Sequence, residues 1–222
     1  MTVMKPYMKY CGAASREDVE CISQSRGDAI GFIFAPSKRQ VQPDQVKHWL
    51  EQTKCSKDVV GVFVNEEINR ICEITSKIPL SIVQLHGDET PEEAQEIKQQ
   101  TEAIVWKVFH HEPHLLATLE KMTNYAPVVD GFLIDAKVKG IRGGSGTAFA
   151  WEAVPAYVQH AKRLKKTCAI AGGVTPASIT KLLDYGPKAI DLSSGIEENG
   201  KKSSAKIKAL EERMFSYVRI SK

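Results

Sequence analysis

Two residues able to trade protons stand far apart in this chain, each closing a short apolar run. Cys11 ends MKYC and is followed by Gly12, while Asp135 ends GFLID ahead of the glycine-rich KGIRGGSG. A thiol can be core filler, half of a disulfide, a metal ligand, a nucleophile or a proton carrier. An aspartate at a strand end often does no more than cap a helix. Brought face to face over a small ligand, the two make a general base and a general acid. Lys9 lies two residues before Cys11 and so shares its face in a strand. An inward ammonium needs a carboxylate partner, which Asp191 in AIDLS can supply, and a positive charge below the thiol favours thiolate.

Two further stretches, IAGGVTP and DLSSGIE, read as an anion cradle. Gly172 and Gly173 let backbone approach a ligand closely, and a helix opening at Thr175-Pro176 would present unpaired N–H groups. Ser193, Ser194 and Gly195 add donors beside them. In FAPSKRQV, Lys38 and Arg39 follow a strand, and an arginine there can grip a carboxylate in a two-pronged fork that a lysine cannot make. Nucleophilic catalysis by Cys11 fits less well, since His86, the histidine nearest such a position, ends a run well away from it. No metal is expected: neighbours His110 and His111 would point to opposite faces of a strand.

These groups need a scaffold that gathers the ends of many strands. Eight runs qualify as strands: MKYC, AIGFIF, VVGVFV, SIVQL, AIVWKV, GFLID, CAIAG and AIDLS. Amphipathic segments between and after them predict helices over 16–25, 43–53, 66–76, 91–99, 114–124, 149–164, 176–183 and 203–218. Several open with a cap or first-turn proline, as in ETPEEAQEI. Eight strand–helix units without a linker predict one (β/α)8 barrel spanning 1–222, with a doubly wound open sheet as the structural alternative. In such a barrel chemistry gathers where strands end. Those positions hold Cys11, Lys38-Arg39, Asn65, His86-Gly87-Asp88, Lys107, Asp135, Gly172-Gly173 and Ser193-Ser194-Gly195.

Composition narrows the partners. With 222 residues, 42% hydrophobic and 26% charged, the chain has an ordinary globular balance. A net charge of +3, spread along the chain, gives no footprint for nucleic acid or an anionic membrane. The start, MTVMKPYMKY, lacks the apolar core of a signal peptide, and no stretch approaches a membrane span. Five scattered cysteines without a CxxC suggest neither a disulfide framework nor a zinc site. The expectation is a reduced, cytoplasmic protein, monomer or homodimer.

Taken in order, KYCG, GFIFAPSKR, VGVFVN, VQLHGDE, FLIDAKVKGIRGGSGTAFAW, IAGGVTPASI and IDLSSGIEENGKK resemble the phosphoribosylanthranilate isomerase family from end to end. The resemblance implies a TIM barrel and an Amadori rearrangement of a small sugar phosphate, N-(5-phosphoribosyl)anthranilate, in tryptophan biosynthesis, without a metal or organic cofactor. It implies Cys11 as base, Asp135 as acid, and Arg39 on the substrate carboxylate. Gly172, Gly173, Ser194 and Gly195 would bind phosphate, with His86 and Asp191 lining the pocket. CGAAS departs from the family, which more often has a larger aliphatic residue after the glycine. Other sugar-phosphate barrels compete. An indole-glycerol-phosphate synthase would need a lysine and glutamate pattern absent here, and a pentose-phosphate epimerase a metal set of histidines and aspartates. A non-catalytic barrel that binds a phosphate metabolite would need neither Cys11 nor Asp135.

Overall fold

Each apolar run becomes a parallel strand because burial on both faces leaves no polar alternation to preserve. A computed structural model describes residues 5–112, 114–135 and 151–220. The strands are β1 (Tyr7–Cys11), β2 (Ala29–Ile33), β3 (Asp58–Phe63), β4 (Ile82–Leu85), β5 (Ile104–His110), β6 (Gly131–Asp135), β7 (Thr167–Ala171) and β8 (Ala189–Leu192). They pair in chain order, and β8 returns to β1, closing a (β/α)8 barrel. Around it run α1 (Arg16–Ser23), α2 (Pro43–Thr53), α3 (Ile68–Lys77), α4 (Pro91–Thr101), α5 (Leu115–Tyr125), α6 (Val154–Arg163), α7 (Ile179–Leu183) and α8 (Ser204–Ile220). No described helix is long and apolar enough to cross a membrane.

The helix starts are chemical. Thr90 accepts from the Glu93 amide while the Glu93 side chain accepts from the Thr90 amide, so α4 begins with a capping box and a first-turn proline. Ser15 accepts from the Asp18 amide at the start of α1. The outer layer of core, between strands and helices, holds Tyr10, Phe32, Phe63, Phe132 and Trp151, all essentially sealed from solvent. Inside the barrel a separate cluster of Ala29, Val60, Ile82, Trp106, Val108 and Leu133 fills the lumen. Trp106 sits edge-on to Tyr7, with ring centroids 6.2 Å apart. A Cβ on Gly131 would lie 2.7 Å from the Trp106 Nε1, so the glycine makes the indole's space. The lumen is plugged below, and only its upper mouth is left for a ligand.

Three local readings need correction. The helix expected from Pro176 starts at Ile179 instead. Thr175 and Ser178 bond each other reciprocally, Thr175 N–H to Ser178 Oγ at 2.9 Å and Ser178 N–H to Thr175 Oγ1 at 3.3 Å. That local alternative replaces the first helical turn and consumes amides assigned to an anion. The fifth strand runs to His110, two residues beyond AIVWKV. A hairpin of β9 (Glu197–Glu198) and β10 (Lys201–Lys202) was not anticipated. Its turn, Asn199-Gly200, has φ of 50° and 79°, the left-handed pair a two-residue hairpin requires. The KGIRGGSG stretch lies outside the described residues.

Candidate active site

Strand parity aims the chemistry. On β5, Trp106 and Val108 fill the lumen, so Lys107 must face out. There it donates to Glu89 Oε2 and to the Gly87 carbonyl, both at 2.7 Å, in a buried pair beneath α4 and α5. The expectation that Lys107 serves the strand-end site is therefore overturned, because odd and even positions of one strand see different solvents. His110 takes the upper inward position instead. His111 faces the other way and meets the Tyr157 hydroxyl through Nδ1 at 2.7 Å.

On β1 the same parity carries Lys9 and Cys11 inward. Lys9 Nζ donates to Asp191 Oδ1 at 3.0 Å, with the lysine 1% exposed. Burial alone would lower the ammonium's pKa, but Asp191 and Cys11 outweigh it and hold the group above its ordinary value. The chain makes space for this pair on β2: a Cβ at Gly31 would come within 2.9 Å of Cys11 Sγ and 3.1 Å of Lys9 Cε. A glycine inside a strand is the signal of such a close approach, and AIGFIF carries it. Removing one partner of a buried ion pair leaves a naked charge, at a cost of ~3–5 kcal/mol. Asp191→Ala should therefore lower the urea midpoint by that equivalent; an unmoved midpoint would mean that Lys9 finds another counterion.

The thiol departs from expectation. Burial pushes Cys11 above the ordinary cysteine value of 9.0; Lys9 opposes this, and Asp191 adds to it. The ammonium below lowers the cost of thiolate without overcoming desolvation. Near neutrality the ligand-free protein holds Cys11 as a thiol.

A cavity of about 190 Å³ opens at the strand ends. Cys11, Asp135 and Asp191 line it, as do Arg39 and His86. Gly172, Gly173, Ser194 and Gly195 form one side of its wall. A larger hollow of about 420 Å³ lies elsewhere, bordered by Lys162, Lys165, Lys166 and Lys188. It contains no acid–base pair, so its size does not make it the site.

Loops after β7 and β8 touch backbone to backbone. A Cβ on Gly195 would fall 1.8 Å from the Val174 carbonyl oxygen, so only glycine fits. Gly173 has φ of 68° and open space where a side chain would project. Burial lowers the His86 pKa against the pull of Asp135, whose Oδ2 lies 3.9 Å from His86 Nε2. His86 is thus a neutral wall residue near neutrality.

Arg39 meets a carboxylate, but one of the protein's own. Its Nε donates to Glu197 Oε1 at 2.8 Å and its Nη2 to Glu197 Oε2 at 2.5 Å. Lys202, buried, donates to Glu197 Oε1 and to the Cys11 carbonyl, each at 2.6 Å. This network ties the ends of β1, β2 and β8 together, and Gly12 gives it room: a Cβ there would sit 2.7 Å from Arg39 Cδ. Among the described residues two of the five guanidinium donors are engaged, which leaves three for a ligand. Sequence reasoning missed Glu197 and Lys202, although the Asn-Gly turn between them was readable. It also missed Gln84, which lines the cavity with Oε1 buried and without a partner among the described residues.

This geometry has known counterparts. The family model described as N-(5'phosphoribosyl)anthranilate (PRA) isomerase matches residues 8–213. A Bacillus velezensis protein named N-(5'-phosphoribosyl)anthranilate isomerase is 50% identical over 218 residues, covering 98% of this chain and 99% of that one. A crystal structure of phosphoribosyl anthranilate isomerase from Thermotoga maritima superposes with a TM-score of 0.82 at 31% identity, over 95% of this chain and 99% of that one. Another structure of this isomerase, in complex with reduced 1-(o-carboxyphenylamino)-1-deoxyribulose 5-phosphate, gives 0.79 at 28% identity over the same shares. A family match over nearly all of the barrel, joined to that degree of shared sequence, means that the chain belongs to the N-(5'-phosphoribosyl)anthranilate isomerase family.

Proposed function

We propose that Cys11 and Asp135 carry the two proton transfers of the aldose–ketose rearrangement this family catalyses. The substrate is N-(5-phosphoribosyl)anthranilate, and the product is 1-(2-carboxyphenylamino)-1-deoxyribulose 5-phosphate. One observation carries the assignment: a thiol and a carboxyl group line the same small cavity from strands that do not pair, with a glycine-lined wall beside them. Asp135 gives a proton to the furanose ring oxygen as the C1–O bond breaks and the nitrogen lone pair closes a Schiff base. Cys11, as thiolate, takes the proton from C2 and leaves an enolamine. Tautomerisation of the enolamine gives the ketone. Acid and base each contribute a transfer that no other group need supply.

Gly172, Gly173, Ser194 and Gly195 hold the phosphate in this reading, and the three remaining Arg39 donors take the anthranilate carboxylate, with Glu197 fixing the plane of the guanidinium. Gly173→Val should raise KM while largely sparing kcat. Its branched side chain would enter the open space beside the turn, and its backbone would resist a φ of 68°. Inorganic phosphate should compete weakly in the parent protein and less in the variant. An unchanged KM would move the phosphate elsewhere.

Activity itself is read as loss of anthranilate-type fluorescence on mixing substrate with purified protein. The pH dependence has a sign fixed by Cys11. Because the thiol titrates above 9.0, the reactive thiolate grows tenfold per pH unit throughout the neutral range. The rate at which iodoacetamide alkylates Cys11 in the substrate-free protein, which follows the thiolate alone, should accordingly rise with unit slope from about pH 7 towards pH 9. A plateau beginning near pH 7 would show that the thiolate is already formed in the free enzyme.

A further inference from the structure

We propose that His86, His110 and Asp135 form a site for one divalent cation of the zinc class, whose binding inhibits the isomerase by engaging the carboxyl group that donates the proton. The inhibitory half rests on Asp135 being that donor; the site itself does not. The three residues come from the ends of three consecutive strands, His86 directly after β4, His110 closing β5 and Asp135 closing β6. His110 and Asp135 are register partners, and the parity of β5 turns His110 to the same side as Asp135.

One ligand atom from each of the three lies within 4.8 Å of the others. The two imidazole centroids are 5.5 Å apart, and His86 Nε2 stands 3.9 Å from Asp135 Oδ2. Ligands at ~2.0–2.1 Å from a zinc ion are about 3.4 Å apart in a tetrahedron, so side-chain rotations of roughly an ångström complete the set. The strand backbones need not move. Two imidazoles and one carboxylate suit zinc, cobalt and nickel, whereas magnesium and calcium prefer all-oxygen sets. Three protein ligands leave a coordination position open to water. A cation here sits on the cavity wall, where His86 and Asp135 both lie. Its inhibition should therefore be relieved by raising substrate.

The experiment uses chelator-treated full-length protein, Co²⁺ as spectroscopic probe and Zn²⁺ as inhibitor. Expected are one visible d–d spectrum per chain, displacement of that spectrum by Zn²⁺, and inhibition over the same concentration range. His110→Asn removes one ligand, and its own cation-free turnover is the baseline against which its inhibition by Zn²⁺ is read. Loss of a direct ligand should weaken Zn²⁺ binding and inhibition by at least the ~10–100-fold seen for outer-shell losses. Equal affinity in His110→Asn, or binding abolished by Cys11→Ser through a thiolate-to-metal band, would overturn the site. Binding that depends on His110 but leaves turnover untouched would overturn the inhibitory half, and with it Asp135 as donor, while leaving the isomerase assignment standing.

Discussion

Cys11→Ala is expected to lower kcat by the ~10²–10⁴-fold typical of losing a positioned base, with little change in the affinity for a product analogue. The reason is local. Cys11 is the inward thiol at the top of β1, and the space around it is made by Gly31 rather than by an aliphatic neighbour. Removing Sγ leaves the glycine-lined wall and the Arg39–Glu197 pair intact, so binding energy should survive while proton abstraction should not. Cys11→Ser should be almost as poor, because a hydroxyl is far harder to deprotonate than a thiol. Cys168 offers the control. It is also fully buried and its thiol is pushed up to about 12 by desolvation, but it faces the outer core layer away from the cavity. Its replacement by alanine should cost stability and spare turnover. Near-parental turnover in Cys11→Ala would return Cys11 to core filler.

Asp135→Asn is the second large effect, and it should separate from the loss of Arg39. The amide keeps the shape of the side chain and the ability to hydrogen-bond but cannot deliver a proton to the ring oxygen. Turnover should drop by a similar ~10²–10⁴-fold while product analogues still bind. In the proposed reading Arg39 meets the anthranilate carboxylate, which stays charged throughout, so that contact would be nearly uniform between ground and transition states. Arg39→Ala should then raise KM and mostly spare kcat. Arg39→Lys should recover only part, since one ammonium cannot serve both Glu197 and a ligand as a fork does. Rapid-quench measurements with each variant distinguish the two patterns. Weakened binding with intact turnover in Asp135→Asn would make the aspartate an anchor and put the acid elsewhere.

Much of the barrel was legible because parallel strands, buried on both faces, announce themselves as continuous β-branched runs. GFLID is β6 residue for residue, and PDQVKHWLEQT is α2. Cys11, Asp135 and the two glycine turns could be found from their places at strand ends, since the fold gathers those ends. Lys107 was misread because one strand end was set two residues short, and facing depends on an anchor such as Trp106 that only packing identifies. The Arg39–Glu197 fork joins residues 158 positions apart, and no periodicity links them. The Cys11 ionisation was half legible. The ammonium beneath it follows from parity, but the depth of burial that outweighs the ammonium is a property of the closed barrel.

The most direct test of the proton-carrier account is a single turnover with substrate deuterated at C2, followed by fluorescence and by release of the label to solvent. The parent protein should extinguish the fluorescence and shed the deuteron together. Cys11→Ala should bind the substrate, retain the label and keep the emission over the same interval. Label lost from the Cys11→Ala complex at the parental rate would contradict the account, because another group would then be removing the C2 proton.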